Sequence, residues 1–127
     1  MNLTFLRPEL VIQLHDSILT RNPGLAGLKE PGLVDALCQR VINLHFYEQE
    51  NDPFTLAAMY MMAIARGHVF NDANKRTALM SALYFLAVNN IHLSNDPALT
   101  DLTVEVAQGK KDLETIAETL NSFWLRT

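Results

Sequence analysis

Most polar side chains in this sequence occur singly along amphipathic stretches, but between Arg66 and Thr77 they crowd together. His68, Asn71, Asp72, Asn74, Lys75 and Arg76 follow one another closely, with strongly apolar sequence on both flanks. Burying so many polar groups costs several kcal/mol unless they pair with one another or with a ligand. The residue types suit one kind of chemistry. An imidazole titrates near neutral pH, so His68 can take a proton from a hydroxyl nucleophile. Asp72 is a hard oxygen ligand of the kind Mg²⁺ accepts when it also holds substrate phosphates. Residues 73–76 fall where a helix begins, and the unpaired N–H groups and partial positive charge of a first turn suit an anion. Asn74 projects there, Lys75 adds a point charge and Arg76 a planar fork for phosphate. A base, a metal-binding carboxylate and an anion seat are the parts of phosphoryl or nucleotidyl transfer. Phe70, apolar among these polar groups, is expected to anchor the loop in the core.

Each residue also has a plainer reading. A lone histidine on an apolar flank is more often a hydrogen-bonded core residue, and it is the company of the other motif residues that marks His68 as a base. Asp72 can serve as a helix N-cap as well as a metal ligand. Arg66 suits either a carboxylate partner or a phosphate, and Thr77 either a backbone bond or a phosphate. His15, His45 and His92 share no motif spacing and read as structural. Met59, Met61, Met62 and Met80 read as core packing, and Cys38, among Ala36, Leu37 and Val41, as an inert buried thiol.

The elements that must position the motif read as helices separated by short breakers. Pro8 opens the first, where proline suits a first turn, and Leu10, Val11, Leu14, Ile18 and Leu19 follow at helical spacing. Asn22-Pro23-Gly24 ends it and a glycine-rich loop runs to Gly32. A second helix covers about Leu33–Glu48, with Leu33, Ala36, Leu37, Val41 and Leu44 inward. A third, capped by Asp52 or Thr55, runs through Ala65 and is stopped by Gly67. The fourth runs from about Ala73 to Asn89, with Asn71 or Asp72 as N-cap and Asn89-Asn90 able to turn left-handed at its end. Its middle is apolar nearly all round, which places it inside a bundle. A fifth begins at Ser94-Asn95-Asp96-Pro97 and continues to about Ala107, with Gly109 ending it. Asp112 caps a sixth that carries Leu113, Ile116, Ala117, Leu120, Phe123 and Trp124. With no strand alternation and no internal repeat, the expectation is an all-α bundle of about six helices around the motif-bearing helix, one domain over residues 1–127.

Bulk properties narrow the function class. A chain of 127 residues, 49% hydrophobic and 19% charged, is globular in composition and long enough to bury a core. A single cysteine rules out an internal disulfide and fits a reducing, cytoplasmic setting. The start lacks a basic region followed by an apolar run, so no secretory signal is expected. The longest apolar stretches, about a dozen residues, fall short of the roughly 17–25 that a membrane span needs. The formal net charge is −4 and no Lys/Arg-rich run occurs. That argues against direct nucleic-acid binding and for a local anion site.

The motif His68-Val69-Phe70-Asn71-Asp72-Ala73-Asn74-Lys75-Arg76 resembles the signature of the Fic/Doc family, most closely its Doc branch, the toxins of phage and bacterial toxin–antitoxin modules. The likeness covers nearly the whole chain, including the segment from Gly24 to Leu33, which in such proteins lies near the active site and helps hold a target peptide. It implies a helical fold with His68 as base, Asp72 as Mg²⁺ ligand, Asn74 with the helix start as anion hole, and Arg76 on phosphate. Members that transfer AMP carry Gly-Asn-Gly-Arg and a further arginine three residues on. Here Ala73, Asn74, Lys75 and Arg76 stand in the first four places and Leu79 in the last. Lys75 fills the space where a glycine would let backbone approach a phosphate, and Leu79 removes a second fork.

The resemblance therefore implies a toxin that uses ATP and Mg²⁺ to phosphorylate a threonine of elongation factor Tu and so halts translation. Transfer of AMP is the alternative within the family, and a catalytically silent antitoxin-binding scaffold is the alternative outside enzymology. An RNase toxin fits poorly with an acidic chain. The family's internal inhibitory helix is not found, since the one glutamate followed by Gly or Asn is Glu50 and Phe46 stands four residues before it. A separate Phd-type antitoxin, docking a helix in a groove, is the implied partner.

Overall fold

A computed structural model describes residues 2–21, 24, 27, 30 and 32–126. They form an all-α arrangement of six helices: α1 (Pro8–Arg21), α2 (Leu33–Phe46), α3 (Pro53–Gly67), α4 (Asn74–Val88), α5 (Pro97–Ala107) and α6 (Leu113–Ser122). Among the described residues there is no strand, and an isolated antiparallel bridge pairs Leu93 with Trp124. Asn22, Pro23 and most of the expected 24–32 loop lie outside the described residues.

The helix starts follow local chemistry. Asp52 and Asp96 cap α3 and α5 by accepting from the N–H groups of Phe54 and Ala98, each with proline in the first turn. Asp112 caps α6 through Thr115. Asn90 turns left-handed after α4 at φ 66°, as the sequence suggested. Some ends differ from expectation. α2 stops at Phe46, α3 keeps Gly67 as its last residue, and α6 stops before Phe123 and Trp124, which turn back toward Leu93.

Helices α3 and α4 form the centre. α4 packs on α1, α3 and α5, while α3 also touches α2 and α6. α3 is buried along most of its surface, including Phe54, Leu56, Tyr60, Met61 and Ile64. α2 buries Val34, Leu37, Cys38 and Val41, the residues at i, i+3, i+4 and i+7. Ala36 lies on the opposite, exposed side, against expectation. α4 also departs from its expected all-round burial. Met80, Tyr84 and Val88, four residues apart, are exposed on one face, so Met80 belongs to the surface rather than the core. The N-terminal segment is tied down at two points. The Leu6 N–H donates to the buried Tyr60 hydroxyl at 3.0 Å, and the Thr4 N–H to Asn89 Oδ1 at 2.8 Å.

Arg66 serves the scaffold. Its Nε donates to the Val106 carbonyl at 2.7 Å and its Nη2 to the Lys111 carbonyl at 2.5 Å. One planar fork thus ties the end of α3 to the α5–α6 turn. The expected phosphate role is not what the geometry gives it. No helix among the described residues is long and apolar enough to cross a membrane.

Two predictions follow from this packing. Arg66→Met removes both bonds, while the Val106 carbonyl keeps its bond from the Gly109 N–H, so stability in a denaturant titration should fall by about 1–3 kcal/mol; an unchanged midpoint would contradict the tie. Burial, with the negative charges of Asp35 and Glu9 nearby, pushes the Cys38 thiol up to about 12. Alkylation at mildly alkaline pH should therefore be slower in the native protein than in the unfolded chain by on the order of a hundredfold or more.

Candidate active site

The motif loop is set by two left-handed residues, neither of them glycine. His68 terminates α3 at φ 48°, ψ 45°, and Ala73 precedes α4 at φ 63°, ψ 26°. Such a conformation costs a residue with a β-carbon about 1–2 kcal/mol, and strain of this sort tends to collect where geometry is under functional demand. Gly67, expected to be the stop, remains helical. Ala73 takes the N-cap position that the sequence suggested for Asn71 or Asp72, and its side chain makes no capping bond to α4.

Three groups hold the loop between those points. The first is Asn74. Its Oδ1 accepts from the Phe70 N–H at 3.0 Å and its Nδ2 donates to the Phe70 carbonyl at 2.9 Å. Because an N–H only donates and a carbonyl only accepts, this pair also fixes which way round the amide sits. The Asn74 side chain is thereby tied to the loop through Oδ1 and one Nδ2 hydrogen, and these bonds leave its second Nδ2 hydrogen and its backbone N–H unused. The second is the apolar anchor, with Val69 2% and Phe70 1% exposed, as expected for Phe70. The third is α1, where the buried His15 ring stacks on Phe70 with centroids 3.8 Å apart and 7° between planes.

Asp72 accepts from the Ala73 N–H at 2.7 Å. The backbone of Gly24 lies so close that a β-carbon there would overlap the Asp72 carboxylate. Asn71 donates its N–H to the carbonyl of Gly27, itself at φ 97°. Gly24 and Gly27 of the α1–α2 connection thus lie directly on the motif, Gly24 where a β-carbon would meet Asp72 and Gly27 in a left-handed conformation.

These elements enclose a cavity of about 580 Å³. His68, Asp72, Asn74, Lys75 and Arg76 all line it, so the structure brings together five of the seven residues singled out in the sequence. Lys75 and Arg76 are exposed, and among the described residues no carboxylate forms an ion pair with either. Arg66 and Thr77 are not in the lining. Thr77 is fully buried inside the bundle, and among the described residues its hydroxyl has no hydrogen-bond partner. The opposite wall comes from Val104, Ala107 and Gln108 of α5 and its end. These residues carry no chemical signature, and nothing in their spacing could have marked them.

The sequence matches the Fic/DOC family over residues 5–86. It is 45% identical to Protein kinase doc of Escherichia phage P1 over 117 residues, which span 92% of this chain and 93% of that protein. It is 35% identical to Toxin Doc of Mycolicibacterium smegmatis over 103 residues, 76% of this chain and 77% of that protein. The helix start, the histidine at its mouth and these likenesses agree. The chain belongs to the Fic/DOC family, and is a Doc-type toxin with protein kinase activity that uses a nucleotide.

Proposed function

We propose that this chain, acting over residues 1–127 as one Fic/Doc domain in the cytoplasm, transfers the γ-phosphate of ATP to a threonine of elongation factor Tu and so arrests translation. The observation that carries the reading is the convergence of His68, Asp72, Lys75 and Arg76 on one cavity at the start of α4. In this reading His68 accepts the proton of the threonine hydroxyl as its oxygen bonds to the γ-phosphorus, and the bond to the β-phosphate oxygen breaks to release ADP. The N–H groups of the first turn of α4, with Lys75 and Arg76, hold the phosphate oxygens.

The fit to Mg²⁺ rests on the donor set. Among the described residues no group of three His, Cys, Asp or Glu side chains could hold a metal. Asp72 is the single Asp or Glu among the residues that line the cavity. That is the donor set Mg²⁺ accepts when substrate phosphates and water complete its shell. When bound, the ion would neutralise charge developing on the phosphates. Lys75 lines the cavity where AMP-transferring members have glycine, which favours phosphate over AMP transfer; a silent scaffold would have no use for the convergence.

The partner we assign is a Phd-type antitoxin helix. Between α1 and α4 lies a cavity of about 290 Å³ lined by Ile18, Leu79, Met80 and Leu83, with Arg21 and Arg76 also in its wall. The exposed Met80, Tyr84 and Val88 continue the apolar stripe along α4. An amphipathic helix with acidic residues flanking its apolar face would match this stripe and the two arginines. It would also reach Arg76, which lines the active-site cavity too.

Incubation with elongation factor Tu and γ-labelled ATP should label the factor on threonine, and His68→Ala should lower the rate by roughly 10²–10⁴-fold. Label arriving from α-labelled ATP instead would sink the kinase reading in favour of AMP transfer. Met80→Glu should weaken antitoxin binding by tenfold or more while leaving phosphate transfer intact; undiminished binding would move the partner to another surface.

A further inference from the structure

His15 is the one fully buried ionisable side chain in α1, and the phosphotransfer reading gives it no part. Three contacts define its place. Its ring stacks in parallel on Phe70 at 3.8 Å, its Nε2 lies 3.0 Å from the main-chain carbonyl of Asp72, and its Nδ1 lies 3.1 Å from Asp16 Oδ1. A carbonyl oxygen only accepts, so the hydrogen in the Asp72 bond belongs to Nε2. The Nε2 bond sets the rotation of the ring and the flat stack on Phe70 its tilt, while Asp16 touches Nδ1 from an exposed side chain.

From these contacts we infer that His15 is a positioning residue, a clamp that sets the backbone of Phe70–Asp72 and thereby aims the Asp72 carboxylate into the cavity. The loop is held from two sides. Asn74 grips Phe70 from α4 through its N–H and carbonyl, and His15 grips Phe70 and Asp72 from α1 through ring and donor. Asn74 fixes Phe70, but among the bonds it makes none reaches Asp72. The bond from His15 falls on the Asp72 main-chain carbonyl itself, while the Asp72 carboxylate takes the Ala73 N–H, so the α1 donor acts on the peptide that carries this side chain. Ala73 follows in a left-handed conformation, so a small turn of the Asp72 peptide would be carried to the start of α4. An outer group that orients a ligand residue is commonly worth 10–100-fold in metal affinity or activity.

The inference rests on the reading of Asp72 as the metal-facing carboxylate, and the test separates the two. His15→Phe keeps a flat ring over Phe70 and loses the donor. His15→Gln keeps an N–H donor at the position of Nε2 and loses the ring. Each variant is measured in three ways: thermal unfolding, amide hydrogen exchange of residues 68–76 followed by mass spectrometry without metal or nucleotide, and phosphate transfer titrated with Mg²⁺. For His15→Phe, a cooperatively folded protein is expected, with faster exchange confined to the motif loop, an apparent Mg²⁺ requirement raised roughly 10–100-fold, and a smaller change in kcat at saturating metal. For His15→Gln, partial rescue of both exchange and Mg²⁺ dependence is expected. Wild-type exchange and Mg²⁺ dependence in His15→Phe would overturn the clamp. So would equal losses in both variants that track global unfolding, because they would make His15 a core residue and nothing more. If the wild-type protein transferred no phosphate, the proposed function would fail while the exchange measurement still decided the clamp.

Discussion

The site depends on one reciprocal grip, the Asn74 side chain closing on the N–H and carbonyl of Phe70. It turns residues 70–74 into a closed ring in which the backbone of a loop is satisfied by the first residue of the helix that follows. Two partly buried hydrogen bonds of this kind contribute about 0.5–1.5 kcal/mol each, comparable to the strain of the two left-handed residues that flank the loop. The grip offsets much of that strain and closes the loop on Phe70. In this arrangement the Ala73 side chain makes no capping bond to α4, and His68, Asp72, Lys75 and Arg76 lie around the helix start.

The rest of the fold can be understood as support for that ring. Helix α3 delivers His68 at its end, and its Arg66 fork fixes α5, whose Val104, Ala107 and Gln108 close the far wall of the cavity. Helix α1 lies under the loop, carrying His15 and leading into Gly24, whose backbone rests on Asp72. The apolar interior of α3 and α4 makes these placements stiff, since close-packed side chains transmit rather than absorb small displacements. Arg76 joins the motif cavity to the exposed face of α4, so a partner lying along Met80, Tyr84 and Val88 would meet the same guanidinium that we assign to the phosphates.

Much of this was legible in the sequence, for reasons that differ residue by residue. The helices were readable from apolar spacing and from the Asp-Pro starts of α3 and α5, because those signals are local. The motif was readable because its residue types are chemically rare in that company. What was hidden depends on tertiary contact. Arg66 is near the motif in sequence, yet its guanidinium points to carbonyls some forty residues away. Ala73 gave no sign of a left-handed conformation, since its neighbours Asn71 and Asp72 are the better local candidates for a cap. His15 looked structural because the Phe70 ring that gives it meaning lies 55 positions further on. Asn74 read as an anion ligand, and nothing local signalled that its side chain also closes the loop on Phe70.

The central claim is that the start of α4 is the seat of the phosphate that is transferred. A crystal structure of the protein with Mg²⁺ and an ATP analogue whose terminal phosphate cannot be transferred tests it most directly. The account predicts the terminal phosphate against the first-turn N–H groups of Asn74–Arg76, with the ion between it and Asp72 and His68 at the open side. Density that placed the α-phosphate at that seat, with the terminal phosphate directed away from His68, would contradict it.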